Sequence, residues 1–228
     1  EIRQYVTKLV GVHRSSIGEG STRSYTFSGQ KRTRKPNFSH VPPGLKPSRT
    51  MKHVDFETFV QQRQVYDAAV ERTPSVDRFC SSSYWIVPAI ETLFSDHDPW
   101  IRRTEDGSAW VPLARGHHEA IGHYLQPMEA SWGLASPIVG DEPEAVVEAF
   151  VDEVRRANQL PDQAGWDMLF LSGVFEDSPL FEAIIRNFRR NYVVGVGPTM
   201  GRHIASLEGG FDAWLENRSS KFRRNLRR

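Results

Sequence analysis

Apolar positions recur with a helical period over several stretches of the chain. Residues 54–70 place apolar side chains roughly every three or four positions, which predicts a helix. A second helix is predicted over 81–94, where Pro88 requires a kink or a place near the first turn. Helices are also predicted over 141–158 and from Ser178, which precedes a proline and an apolar stripe.

Between these helices lie short runs with strand character. Residues 100–104 and 109–114 flank an Asp-Gly turn and predict a β-hairpin, with Pro112 placing its strand at an edge or beside a bulge. Residues 166–171 form a continuous apolar run typical of a buried strand. Further strands are predicted at 120–125, 191–197 and 203–207. Because strands and helices alternate, we predict an α/β (α+β) fold with a mixed sheet flanked by helices.

Charge divides the chain into three parts. Residues 1–50 contain ten Lys/Arg against two Asp/Glu, a net of +8; residues 51–212 contain thirteen against twenty-five, a net of −12; the last sixteen contain six against one, a net of +5. The first part is rich in Ser, Thr, Gly and Pro and buries too little apolar surface to offset the entropy of ordering. It is therefore predicted to be a basic, disordered leader, with at most one short strand over 5–12 and Met51 as the natural start. The alternative is a basic arm for an anionic surface or a nucleic acid.

Composition narrows the class of protein. Hydrophobic residues make up 39% and charged residues 25%, which is ordinary for a globular domain with its own core. The single Cys80 excludes an intrachain disulfide and indicates a reducing, cytoplasmic compartment. No apolar run reaches the ~18 residues of a membrane-spanning helix.

The last segment, residues 211–228, has an amphipathic pattern that continues to the end of the sequence. Phe211 and Trp214 share a face with Phe222 and Leu226, and no Gly, Asn or Pro ends the helix. A helix with this much apolar surface predicts a partner. We interpret it as a connecting helix that leads to a missing second part.

Several motifs carry a resemblance to a known family. Lys221-Phe-Arg-Arg-Asn-Leu-Arg-Arg228, preceded by Phe-x-x-Trp-Leu and Ser-Ser, is similar to a segment of the CelD-like and FemAB-like GNAT acyltransferases, which are built from two GNAT-like halves in tandem. The resemblance covers roughly residues 75–228 and includes the segments Phe79-Cys-Ser-Ser-Ser-Tyr-Trp85, Trp110-Val-Pro-Leu-Ala114 and Trp166-Asp-Met-Leu-Phe-Leu171. In that family, the basic segment ends the first half and opens the helix that leads to the second.

The resemblance implies that residues 51–228 are the first half of a GNAT-type N-acyltransferase. Such an enzyme moves an acyl group from acyl-CoA, for example acetyl-CoA, to an amine of a small molecule or polysaccharide. It needs no metal or tightly bound cofactor. Because the acyl-CoA loop and most catalytic groups belong to the second half in tandem relatives, we expect this chain alone to be inactive.

The resemblance also bears on site residues, although it identifies no catalytic residue. Lys221, Arg223 and Arg224 lie on the helix that borders the cleft between the halves in that family, and they are predicted to contact substrate or acyl carrier together with Trp85. Without the resemblance, a basic run on a helix is typical of a solvated face. Two alternatives stay open. The first is a non-catalytic GNAT-like module that binds a ligand or acts as a scaffold. The second, which is less favoured, is nucleic-acid binding through the basic ends.

Two further motifs are interpreted as structural. His117, His118 and His123 lack the spacing of a metal site and indicate a polar turn between two strands. The glycines from Gly195 to Gly201 match neither a dinucleotide fingerprint nor a P-loop, and they predict a turn that separates two strands.

Overall fold

Strands and helices alternate in the computed structural model, which describes residues 2–13, 50–157, 165–205 and 209–226. The strands are β1 (Ile2–His13), β2 (Met51–Val54), β3 (Asp98–Thr104), β4 (Ala109–His118), β5 (Gly122–Pro127), β6 (Val139–Gly140), β7 (Met168–Phe175) and β8 (Val193–Ala205). The helices are α1 (Phe56–Gln61), α2 (Arg63–Arg72), α3 (Arg78–Ser81), α4 (Ser83–Leu93), α5 (Pro143–Ala157), α6 (Pro179–Phe188), α7 (Gly210–Glu216) and α8 (Ser220–Leu226).

The strands form one eight-stranded mixed sheet in the order β2-β3-β4-β5-β7-β1-β8, with β6 paired to β4. Neighbours are antiparallel except β5 and β7, which run parallel and pair only at Tyr124–Met168 and Leu125–Leu169. Helices pack on the sheet, so the predicted α/β class with a mixed sheet is confirmed. None of the described helices has both the length and the apolar content that a bilayer crossing requires.

The first strand lies inside the sheet rather than outside the folded part. β1 pairs antiparallel with β7 on one side and with β8 on the other, and β8 has no other neighbour among the described strands. The sequence predicted a disordered leader here with at most a short strand over 5–12, whereas residues 2–13 belong to the sheet. Residues 14–49 of that leader lie outside the described residues.

The helix predicted over 54–70 is interrupted, because two local signals compete with its apolar period. Val54 ends β2, and the Asp55 side chain then caps α1 by accepting a hydrogen bond from the Thr58 N–H at 2.7 Å. A break at Gln62 separates α1 from α2. Both helices nevertheless bury the predicted stripe, including Phe59 and Tyr66. The helix predicted over 81–94 likewise begins later, as α4, with Pro88 in its interior.

The hairpin of β3 and β4 is confirmed, but Pro112 is not on an edge strand. β4 lies between β3 on one side and β5 and β6 on the other. Its pairing with β6 covers Ala109 and Trp110, and its regular pairing with β5 begins at Leu113. The Pro112 carbonyl faces this second side, because it accepts from the Met128 N–H at 3.4 Å. Proline has no N–H to donate to a neighbouring strand. It is tolerated at position 112 because the pairing with β6 has already ended there and the pairing with β5 begins at the next residue.

The predicted turn at Gly195–Gly201 is wrong, because these residues continue through β8 as one strand. The irregularity there is a bulge. Between the β1 residues Lys8 and Val10, β8 contributes two residues, Gly197 and Pro198, where a regular ladder has one. β7 has a matching bulge opposite the same point of β1, at Ser172 and Gly173.

The core is divided between the two faces of the sheet. On one face α5 and α6 cover residues from β1, β3, β4, β5 and β7, with Phe150 and Phe188 fully buried between them. We call this the covered face. On the other face α1, α2 and α4 pack against β2, β3, β4 and β6 around Phe59, Tyr66 and Trp110.

The predicted terminal helix is broken into α7 and α8, and neither contains a buried residue. Phe222 is 40% exposed and Leu226 is 51% exposed. The Trp214 ring packs against Phe211 and Phe222, with ring centroids 5.7 and 5.8 Å apart, so the two helices form a small contact of their own.

Candidate functional site

Among the described residues, helices cover only half of the width of the second face of the sheet. The core under α1, α2 and α4 contains residues of β2, β3, β4 and β6 but none of the described residues of β5, β7, β1 and β8. On the uncovered half, Tyr124 and Phe170 are only partly buried and pack edge-on with centroids 6.0 Å apart. Both alternate with residues of the covered face, namely Leu125 and Leu169, so they point to the opposite side. We call this region the open half-face.

Three aromatic side chains stand at the border of the open half-face, and we call them the aromatic shelf: Phe79, Trp85 and Trp132. The ring centroids are 5.6 Å apart for Phe79 and Trp85 and 5.5 Å apart for Trp85 and Trp132. Phe79 is 64% exposed and Trp132 is 50% exposed, which is unusual for side chains of this size. A contiguous exposed aromatic surface of this kind is typical of a binding site.

A buried carboxylate fixes the loop that carries Trp132. Glu129 is fully buried, and its two carboxylate oxygens accept hydrogen bonds from the backbone N–H groups of Trp132, Leu134 and Ala135 at 2.7 to 3.2 Å. The same loop lies directly on the β7 bulge, since a Cβ on Gly173 would lie 1.9 Å from the Ala135 carbonyl oxygen. The loop that carries Trp132 is therefore fixed by contacts with its own backbone.

A polar group that has no partner among the described residues lies near the aromatic shelf. The Ser172 hydroxyl in the β7 bulge is buried and finds no hydrogen-bond partner among the described residues, and the same is true of the Trp85 indole N–H. A Cβ on Gly133 would lie 3.7 Å from the Ser172 Oγ and 3.0 Å from the Met200 Cε, so the three residues adjoin. Bulges re-aim side chains next to functional sites. The hydroxyl and the indole N–H are therefore two buried hydrogen-bonding groups near the shelf that have no partner among the described residues.

A hydrogen-bonded line of three side chains lies on the same open half-face. His97 Nδ1 lies 2.8 Å from the Asp96 Oδ1, and His97 Nε2 lies 3.0 Å from the Tyr124 Oη. The Asp96 side chain is 86% exposed and that of His97 only 13% exposed. The hydrogen bond with His97 lowers the pKa of Asp96 below its ordinary value, so Asp96 is a carboxylate at neutral pH.

The site residues predicted from the sequence occupy two separate places. Trp85 is the central ring of the aromatic shelf. Lys221 and Arg224 are exposed on α8, and Arg223 is partly buried there. Among the described residues, no ring contact, hydrogen bond or ion pair joins these three basic side chains to Trp85. The basic cluster and the shelf are therefore not brought together by a direct contact.

The histidine cluster is a polar hairpin end, as predicted. His117 and His123 pair across the turn between β4 and β5, with ring centroids 4.8 Å apart. Within the described ranges, no group of three His, Cys, Asp or Glu side chains is arranged to hold a metal ion. Cys80 is buried in α3.

Sequence reasoning missed Ser172, Trp132 and the line through His97. Asp96 and His97 follow α4 in an ordinary polar loop, and Tyr124 lies 27 residues away from His97 in sequence. The bulge at Ser172 depends on a strand that comes from the other end of the chain. Only an exposed tryptophan beside a glycine, as at Trp132-Gly133, could have drawn attention to the shelf.

Compared with protein families, with curated proteins and with solved structures, the chain shows no significant match.

Proposed function

We propose that this chain is the first half of a cytoplasmic GNAT-type N-acyltransferase of the CelD-like or FemAB-like kind. It binds the amine acceptor, while acyl-CoA is a co-substrate bound mainly by the second half, and no tightly bound cofactor takes part. The observation that carries the proposal is the aromatic shelf. Two of its three rings, Phe79 and Trp85, belong to the Phe-Cys-Ser-Ser-Ser-Tyr-Trp motif on which the resemblance depends.

The chemistry of the shelf suits an amine acceptor. An aromatic face attracts an ammonium group and packs against the apolar side of a sugar or another ring. The Ser172 hydroxyl and the Trp85 N–H lie beside it and supply hydrogen bonds that orient the ligand. Acyl transfer to an amine depends mostly on orientation against the thioester, on backbone N–H groups for the developing oxyanion and on removal of one proton.

The exposed apolar residues of α7 and α8 support the two-part arrangement. Phe211, Phe222 and Leu226 are each at least 40% exposed, and such side chains are normally covered by a partner. In the proposed enzyme this partner is the second half. Lys221, Arg223 and Arg224 on α8 would then face the cleft between the halves and contact substrate or acyl carrier.

Ligand binding can be tested by titrating the chain with glucosamine while tryptophan fluorescence is recorded, with glucose as the control that lacks the amine. We expect glucosamine to bind more tightly than glucose. Trp132→Ala should weaken this binding, and Trp214→Ala, which changes a tryptophan away from the shelf, should not. Equal binding of the two sugars, or an unchanged affinity in Trp132→Ala, contradicts the proposed acceptor site.

Catalysis is tested separately with acetyl-CoA. The 228-residue chain should show no acetyl-CoA turnover with an amine acceptor, because the proposal assigns the acyl-CoA site to the second half. Turnover by this chain alone contradicts the division of labour. The chain is instead a non-catalytic binding module if the shelf binds glucosamine but acyl transfer is still absent when a second GNAT-like half is added. Nucleic-acid binding through the basic ends is favoured instead if the chain binds a nucleic acid with an affinity that falls steeply as the salt concentration rises.

A further inference from the structure

We propose that Asp96, His97 and Tyr124 form a triad in which the Tyr124 hydroxyl is an activated nucleophile toward acyl donors of the aryl ester class. The site lies on the open half-face but is distinct from the aromatic shelf. The inference goes beyond the proposed function, because it needs neither a second half nor an acyl-CoA pocket.

The hydrogen-bond roles within the line follow from the donors and acceptors available. The Asp96 carboxylate can only accept, so His97 Nδ1 must carry a proton and donate it across the 2.8 Å contact. In a neutral imidazole the other nitrogen is then an acceptor. Across the 3.0 Å contact, Tyr124 therefore donates its O–H to His97 Nε2. This is the order carboxylate, imidazole and hydroxyl that activates hydroxyl nucleophiles on unrelated folds.

The surrounding residues hold the two rings in this geometry. A Cβ at Gly116 would lie 2.4 Å from the Tyr124 Cζ and 2.8 Å from the His97 Nε2, so the contact exists only because position 116 has no side chain. The Phe94 ring packs edge-on against His97 at 5.2 Å, and the Phe170 ring packs against Tyr124 at 6.0 Å. The pair is thus oriented from both sides, which is the condition for a base to act efficiently.

The Tyr124 side chain is partly exposed on the open half-face. Tyr124 is only partly buried, and no helix core covers β5 or β7 on this side among the described residues. At the other end of the line, Asp96 is exposed to solvent. An acyl donor can therefore approach Tyr124 from solvent while His97 remains largely shielded from it.

The reaction is a simple acyl transfer that balances without a further reagent. The Tyr124 Oη attacks the carbonyl carbon of the donor, and its proton passes to His97 Nε2. The bond between the carbonyl carbon and the leaving group then breaks, and the leaving group takes that proton from Nε2. The product is Tyr124 acylated on oxygen, and water activated by His97 releases the acyl group as a carboxylic acid in a second transfer of the same kind.

The test uses the full chain and p-nitrophenyl acetate, with acetylation of each tyrosine followed by peptide mass spectrometry. Tyr84 is the internal control, because it is 72% exposed and has no imidazole partner among the described residues. We expect Tyr124 to be acetylated on the order of 100-fold faster than Tyr84, the scale of general-base assistance. The variant His97→Gln, whose amide oxygen can still accept the hydrogen bond, should reduce the Tyr124 rate to that of Tyr84 without changing the Tyr84 rate.

Two further variants separate a chemical role from a structural one. Asp96→Asn should lower the acetylation rate of Tyr124 toward that of Tyr84, because the imidazole loses its orienting carboxylate. In His97→Ala, added imidazole should restore the rate, which a purely structural histidine does not predict. The proposal is overturned if Tyr124 reacts no faster than Tyr84, if His97→Gln keeps the full rate, or if imidazole gives no rescue in a folded His97→Ala. These results do not depend on acetyl-CoA turnover or on glucosamine binding.

Discussion

The two faces of the sheet differ in how completely helices cover them. On the covered face, α5 and α6 extend over β1, β3, β4, β5 and β7. The buried Arg102 is paired there, because its Nε donates to the Glu153 carboxylate at 2.8 Å. On the opposite side, the helix core formed by the described residues extends only as far as β4 and β6. The candidate functional groups lie where that cover ends. They are the aromatic shelf, the Ser172 hydroxyl and the hydrogen-bonded side chains of Asp96, His97 and Tyr124.

The difference shows how one sheet can combine stability with reactivity. A fully covered polar group must be paired, because an unpaired one costs about 1–3 kcal/mol. On the covered face, Arg102 meets this condition through its ion pair with Glu153. At the border of the open half-face, the β7 bulge and the half-exposed Trp132 ring cost less, because solvent or a ligand can contact them. The following predictions test this contrast.

The largest effect on stability is expected when β1 is removed from the sheet. A chain that begins at Met51 lacks β1, so β7 loses one neighbour and β8 loses its described neighbour. Because a domain is stable by only about 5–15 kcal/mol in total, we expect this chain to lose its cooperative thermal transition. Circular dichroism melting measures the effect. A chain from Met51 that melts like the full chain would instead support the interpretation of residues 1–50 as dispensable.

A direct comparison of the two faces uses one aromatic residue from each. Phe150 is fully buried on the covered face, and Phe150→Ala should lower the free energy of unfolding by about 3–5 kcal/mol. Trp132→Ala on the shelf removes a larger side chain, yet it should cost only about 1 kcal/mol, the scale of a single aromatic pair. Urea unfolding of both variants provides the measurement. Equal losses would mean that the shelf is part of the core.

The bulge beside Ser172 can be tested through its glycine. Gly173 has φ +75° and lies against the Ala135 carbonyl, so Gly173→Ala should destabilise the protein by about 2–4 kcal/mol. Gly11→Ala in β1 is the matched control, because a Cβ there meets nothing within 4 Å. It should be neutral or stabilising by about 0.5 kcal/mol. A tolerated Gly173→Ala would show that the loop carrying Trp132 is not fixed on the bulge.

The smallest effect on stability is expected at α8. Neither Lys221 nor Arg224 forms an ion pair within the described ranges, and α8 buries no residue. Replacing Lys221, Arg223 and Arg224 together by Ala should therefore change the free energy of unfolding by less than about 0.5 kcal/mol per site. Urea unfolding provides the measurement. A large loss in the free energy of unfolding would indicate that these side chains pack α8 against the rest of the protein and are not free to bind a substrate or acyl carrier.

The elements that the sequence predicted well are those with local causes. The helix of Pro179–Phe188 begins at Ser178, whose Oγ accepts from the Phe181 N–H at 3.1 Å, and it buries the predicted Ile184 and Phe188. The turn between β3 and β4 likewise depends on neighbouring residues, with Gly107 at φ +69°. Trp85, which the resemblance predicted as a contact residue, is the central ring of the aromatic shelf, and its role in binding stays a prediction.

What the sequence alone determined about this protein is its class, its covered-face helices and its first hairpin, because capping, turn chemistry and apolar period act within a few residues. The tertiary structure decided the rest. It placed β1 between β7 and β8, turned Gly195–Gly201 into strand and brought His97 to Tyr124 across Gly116. The physical reason is that strand pairing and cross-sheet contacts join residues far apart in the chain, and their free energy depends on partners that no local pattern specifies.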